Sequence, residues 1–151
     1  MGGFLKSKFE KYCHQLMEFS DNVQVVGIAI FVFLVICLYG KYRCTHPEYH
    51  DPLMKKLGIF DLDGWSLSHL FFFAILGYLY PNTFVVSMGL GVGWEVFEHV
   101  VGKNRPGFLG GFGDCATTDP GVSGSWWFGR ASDIVMNVVG FLIGKGISPY
   151  A

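Results

Sequence analysis

The chain reads as an all-α polytopic membrane protein: about four transmembrane helices in a bundle, preceded by an N-terminal amphipathic helix at the membrane surface. Three observations predict this. Hydrophobic residues are 51% of the 151 and charged residues 15%, with a mean hydropathy of +0.39, too apolar for an ordinary soluble domain. Between Asp21 and Lys41 run 19 residues without a charge, and between Asp63 and Glu95 run 31. The charges that then break the pattern, Glu95 and Glu98, fall inside a segment that itself reads as membrane-spanning, where a carboxylate is costly and points to function. A net charge of −1 with no basic stripe offers nothing to neutralise nucleic-acid phosphates, so nucleic-acid binding is excluded.

Residues 1–22 form the first unit. From Phe4 to Phe19, Leu5, Phe9, Tyr12, Leu16 and Phe19 recur at steps of three and four, with Lys6, Lys8, Lys11 and Glu18 mostly elsewhere on the wheel. Such a helix suits the headgroup plane of a bilayer or the surface of a partner protein. The Gly2-Gly3 start does not complete a myristoylation pattern, because the serine falls at position 7 rather than 6.

Residues 23–151 form the bundle. Val23 to Gly40 is an uncharged, largely apolar run close to the ~20 residues that a ~30 Å hydrocarbon layer requires. It starts too late for a cleaved signal peptide and lacks a small-residue cleavage site. After a polar stretch come Trp65 to Tyr80, Phe84 to Gly102 and Ala131 to Ile147, of 16, 19 and 17 residues. Pro81-Asn82-Thr83 breaks the first two and predicts an antiparallel hairpin. The short lengths imply a thin or partly water-filled bundle, and three spans with one half-inserted segment compete with four. Four spans put both termini on one side. The first and third loops carry seven Lys and Arg against four on the opposite side, which favours those loops in the cytoplasm. An amphipathic N-terminal helix bound to anionic lipid argues the other way, and which membrane holds the chain stays open.

Each of the last three spans has one polar stripe. Ser66 and His69 share a face at the start of the second. Gly91, Glu95 and Glu98 share one at the end of the third, with His99 a position further round, and Asp133, Asn137, Gly140 and Gly144 line the fourth. In an up-down bundle those three ends meet on one side, so His69, Glu95, Glu98, His99 and Asp133 should converge beside the first and third loops. Imidazoles and carboxylates are ligands for zinc, manganese or iron, which makes His69, Glu95, Glu98 and His99 candidate ligands for a divalent metal. The spacing E-x-x-E-H is neither the E-x-x-H of di-iron bundles nor H-E-x-x-H. The alternative is a satisfied hydrogen-bond network that holds short helices in register. Gly140 and Gly144 form G-x-x-x-G on the polar stripe and should let a neighbouring helix approach; Gly89 and Gly93 form a second, on the opposite face, for a seam within the bundle or between subunits.

The loop Lys103 to Arg130 is rich in glycine, with Phe108, Phe112, Trp126, Trp127 and Phe128 suited to an interface. Its Arg105 and Arg130 could meet a phosphate, and Asp114 could join the site. Asp61 and Asp63 form a D-x-D-G that reads equally as the start of a helix. Four cysteines show no C-x-x-C, and a Cys44–Cys115 bridge stays open.

W-S-L-S-H at Trp65 to His69, G-W-E-V-F-E-H at Gly93 to His99, G-D at Gly113 and Asp114, and S-D-I-V-M-N-V-V-G-F at Ser132 to Phe141 resemble the motifs of a family of small uncharacterised bacterial membrane proteins. More distantly, the order is similar to that in VanZ-like membrane proteins, which are associated with glycopeptide resistance. The resemblance covers Trp65 to Gly144 and implies motif roles for Ser68, His69, Trp94, Glu95, Glu98, Asp114, Asp133 and, through the VanZ-like pattern, Asn137. His99 stands where the bacterial family tends to have Asn, and Cys115 where it has Ser.

Three functions follow. The favoured one is a noncatalytic membrane anchor or scaffold in contact with lipid, working as a homo-oligomer or within a larger assembly. The alternative is a membrane-embedded enzyme acting on a lipid or lipid-linked phosphate, with Glu95, Glu98, His69, Asp133 and Asp114 supplying metal ligation or acid and base groups, and Arg105, Arg130 and Asn137 binding substrate. The third is a proton or ion conduit along the polar stripe.

Overall fold

The computed structural model describes residues 2–46, 50–58, 62–104, 127 and 129–151. Its regular elements there are helical: α1 (Gly2–Thr45), a short 3-10 turn (Pro52–Met54), α2 (Gly64–Leu79), α3 (Phe84–Asn104) and α4 (Ala131–Ile147). The chain has no proline before Pro47, so nothing stops α1 until His46, whose neighbouring proline disfavours helical backbone. The amphipathic and apolar segments are therefore one helix of 44 residues, and no helix end marks the boundary expected at residue 22. At ~1.5 Å per residue it is about 66 Å long, roughly twice the thickness of a hydrocarbon layer.

Local chemistry sets the other boundaries. Asp63 caps α2, its Oδ1 accepting from the Ser66 amide at 2.9 Å, the usual way to satisfy an orphan N–H of the first turn. Before Pro81 the helix gives way to a tight turn closed by Thr83, whose amide and hydroxyl both donate to the Tyr80 carbonyl, at 3.1 and 2.8 Å. Helix α4 carries Asp133 in its first turn and Lys145 in its last, each sign complementing the helix dipole.

Glycine decides the packing. A Cβ at Gly140 would strike the Leu70 carbonyl oxygen, one at Gly144 that of Ala74, and one at Gly77 that of Phe141. Helices α2 and α4 thus run parallel with their backbones touching, the close approach that small residues at a four-residue spacing permit. Nothing lies within 4 Å of a Cβ built at Gly89 or Gly93, so that second glycine pair makes no seam within the described chain. Helices α1 and α3 run opposite to this pair. Tyr80, at the end of α2, donates to Gln24 of α1 at 3.0 Å, while Tyr39, a long way down α1, meets Trp65 at the start of α2.

Two apolar clusters fill the interior. Val25, Phe73, Leu76 and Phe141 occupy the half toward the Pro81 turn. At the other half Cys37, Val101 and Trp127 pack with Phe33, Trp94 and Phe97, their rings mostly edge to face at centroid distances of 5.4–6.0 Å.

Many large apolar side chains lie on the outside. Phe31, Leu38, Phe71, Val85 and Ile147 are all more than 60% exposed. Two helices, Lys8–Arg43 within α1 and Phe84–Asn104, are long and apolar enough to cross a membrane, and only 17% and 22% of their most apolar stretches are buried. Helices α2 and α4, at 16 and 17 residues, are shorter than the ~20 a perpendicular span requires. From Lys8 to Ser20 every described side chain of α1 except Cys13 is exposed, so this part of the helix stands clear of the bundle.

Candidate functional site

At the end of the molecule away from the Pro81 turn, the starts of α2 and α4 meet the end of α3. Each contributes one acidic or imidazole side chain at the same level: His69 from α2, Glu95 from α3 and Asp133 from α4. One ligand atom from each lies within 4.8 Å of the others, and among the described residues this is the group of three or more such side chains with that closeness. The parallel α2–α4 seam sets the pairing: Ser66 donates its hydroxyl to Asp133 Oδ1 at 2.6 Å, and one turn on, His69 Nδ1 lies 2.8 Å from Asn137 Oδ1. Since an amide oxygen only accepts, Nδ1 carries the proton and Nε2 of a neutral ring is bare. That bare nitrogen faces Glu95 Oε1 at 3.6 Å.

Glu95 reaches the site because two glycines make room. Gly91, one turn earlier on the same face of α3, admits the Asn137 amide; a Cβ there would lie 2.7 Å from Asn137 Nδ2 and 2.9 Å from the Phe73 ring. Gly129 lets the chain leading into α4 pass against the Glu95 carbonyl. The next amide, of Arg130, donates to Glu95 Oε2 at 2.8 Å. Glu95 and Asp133 are each 5% exposed. Two buried atoms at the site make no hydrogen bond, Glu95 Oε1 and Asn137 Nδ2.

Around the triad sits a second set of charges. Arg130 meets Asp63 Oδ2 through NH1 at 2.7 Å, while Asp63 Oδ1 accepts from the Ser66 amide at 2.9 Å. Beyond it, Asp51 accepts from the Trp65 indole at 3.0 Å and from the Leu53 amide, and pairs with Arg43 of α1 at 3.5 Å. This ties the polar loop to the bundle.

The structure thus brings together His69, Glu95, Asp133 and Asn137. Asp133 stands as the third potential metal ligand where the spacing pointed to Glu98 and His99. On a helix that turns by about 100° per residue, His99 lies about 40° past Glu95, on the side of the exposed Val92 and Val96, and is itself exposed. Glu98 lies about 60° to the other side, half-buried and outside the triad. Arg130 joins the site by its backbone, with its guanidinium on Asp63. Arg105, Asp114 and Cys115 lie outside the described residues, as does the Cys44 side chain. The helix start read at Asp63 is where α2 is capped, but its pairing with Arg130 was not foreseen, nor was the role of Gly129. Neither contact had a sequence signal, because Arg130 stands 67 residues from Asp63 and Gly129 34 from Glu95.

Comparison of the chain with family models, with curated proteins and with solved structures finds no match.

Proposed function

We propose that the chain is an integral membrane protein whose four helices cross the bilayer and whose N-terminal overhang anchors or scaffolds a larger assembly. The observation that carries this is the length and exposure of α1. About twenty residues suffice for one crossing, and the helix has 44. The excess presents Phe9, Tyr12, Leu16 and Phe19 to the surroundings, all exposed among the described residues. The apolar faces of α1 and α3 would meet lipid, and the polar mouth would lie at one membrane surface, fixing the short helices α2 and α4 in register. Deleting residues 2–20 tests the reading: the shortened chain should still float with membranes while its complex in mild detergent falls in size. An unchanged complex would refute the scaffold.

A second reading, a membrane-embedded enzyme acting on a lipid or lipid-linked phosphate, is favoured by the bare His69 Nε2 beside Glu95 Oε1, a base and an acid with no structural bond between them. On this reading Glu95→Gln abolishes turnover and leaves the assembly intact. The conduit reading draws no support from the fold: Phe73, Leu76 and Phe141 fill the bundle beyond the polar mouth.

A further inference from the structure

We propose that His69, Glu95 and Asp133 bind one divalent first-row transition-metal ion, through His69 Nε2, Glu95 Oε1 and an Asp133 carboxylate oxygen. The inference does not depend on the anchor reading, since a metal could brace the bundle or serve chemistry.

The first ground is that, with the His69 ring neutral, three acceptors face one another, and no described side chain donates between them. His69 Nδ1 is directed at Asn137 Oδ1, so in the neutral ring, the form that binds a metal, Nε2 presents a lone pair; Glu95 Oε1, on a side chain 95% buried, makes no hydrogen bond and faces Nε2 from 3.6 Å. Two buried carboxylates and an imidazole lone pair repel one another unless a positive charge lies among them. Among the described residues, the Arg130 guanidinium beside the site pairs through NH1 with Asp63. A dication between the three would balance both carboxylates.

The second ground is the orientation of each group. Metal-bound histidines commonly donate their other N–H to an oxygen, and metal-bound carboxylates accept a second hydrogen bond that fixes them. Here Asn137 Oδ1 takes the His69 proton, the Arg130 amide holds Glu95 Oε2 and the Ser66 hydroxyl holds Asp133 Oδ1. Ligand atoms about 2.1 Å from an ion stand about 3.4 Å apart in a tetrahedron. The His69–Glu95 pair, at 3.6 Å, is nearly there, and pairs at the 4.8 Å limit would close by about 1.4 Å. One imidazole with two carboxylates suits manganese, iron, cobalt or zinc better than magnesium or calcium, which prefer all-oxygen sites. Three protein ligands leave coordination positions open toward the mouth.

The test uses the full chain in detergent, stripped with chelator and dialysed separately against Mn(II), Zn(II) or Mg(II). One Mn or Zn per chain should be retained and Mg lost. Pulsed electron paramagnetic resonance of the Mn(II) form should show coupling to one imidazole nitrogen. Glu95→Gln and Asp133→Asn should each lose the metal, His69→Gln the nitrogen coupling, and Glu98→Gln neither. Asn137→Ala removes no ligand, only the partner that orients His69, and should weaken Mn binding about 10- to 100-fold. It decides the matter should the ligand variants fail to fold. The proposal is overturned if the parent retains neither Mn nor Zn, if bound Mn shows no nitrogen coupling, or if folded Glu95→Gln and Asp133→Asn hold metal at full stoichiometry. Equal Mn affinity in Asn137→Ala and the parent also overturns it.

Discussion

Adding a single methyl group at Gly140 should uncouple the α2–α4 seam and the polar site together. In Gly140→Ala the new Cβ would overlap the Leu70 carbonyl oxygen and lie 3.0 Å from its carbon and 3.1 Å from Leu70 Cα. All three are backbone atoms of a helix and cannot rotate away, so the helices must part by about 1 Å to restore ordinary contacts of roughly 3.5–4 Å. The Ser66–Asp133 and His69–Asn137 bonds, now 2.6 and 2.8 Å, cross the same seam. Opened by about 1 Å, both pass the ~3.2 Å limit of a good hydrogen bond. Overpacking costs about 1–3 kcal/mol, and each lost interhelical bond in a membrane about 0.6 kcal/mol. The better helix propensity of alanine returns about 1 kcal/mol. The net loss is then about 1–3 kcal/mol. Gly93→Ala is the matched control: its Cβ meets nothing within 4 Å, so only the propensity gain applies and the variant should be about 0.5–1 kcal/mol more stable than the parent. Reversible unfolding in mixed SDS micelles, followed by far-ultraviolet circular dichroism, reads the difference between the two. Equal stability of Gly140→Ala and Gly93→Ala would refute the close-packed seam.

Three further outcomes follow from the geometry. Asp63→Asn keeps the helix cap but removes the Arg130–Asp63 ion pair, and because Arg130 is 25% exposed the loss should be about 2–3 kcal/mol rather than the ~3–5 of a fully buried pair. A double-mutant cycle with Arg130→Met should give a coupling above about 1 kcal/mol; additivity would show that the pair contributes nothing. Trp127→Ala should lower stability by about 3 kcal/mol, since the buried indole packs on Trp94 and Phe97; thermal unfolding of variant and parent at equal midpoints would contradict its place in the core. Asp51→Ala removes the acceptor of the Trp65 indole and the partner of Arg43, and should cost about 2 kcal/mol and speed proteolysis of the 50–63 segment. Unchanged cleavage there would count against the loop's attachment.

Much of this arrangement was legible in the order of residues. Apolar runs bounded by Asp21, Lys41, Asp63 and Pro81 marked helical segments, and the i, i+3, i+4 spacing of Asp133, Asn137, Gly140 and Gly144 indicated one face with both a polar and a close-packing role. The level at which His69, Glu95 and Asp133 meet followed from alternating helix direction alone. What sequence did not give was whatever depends on rotation and rise between helices. Whether Glu98, His99 or Asp133 completes the triad turns on some tens of degrees about the axis of α3. The continuity of α1 was missed because the change from amphipathic to apolar pattern looks like a boundary, although no proline marks one. The Arg130 and Gly129 contacts with Glu95 join positions 34 and 35 residues apart, and no periodicity reports such a pairing.

The central claim is that the polar mouth lies at one membrane face, with the Pro81 turn and both termini at the other. Substituted-cysteine labelling in sealed vesicles tests it most directly. In a chain whose four native cysteines are replaced, single cysteines at Lys8, Lys55, Asn82, Lys103 and Tyr150 would be exposed to a membrane-impermeant maleimide before and after lysis. Positions 8, 82 and 150 should react from one side and positions 55 and 103 from the other. Labelling of positions 55 and 82 from the same side, or release of the chain from vesicles by alkaline carbonate, would contradict it.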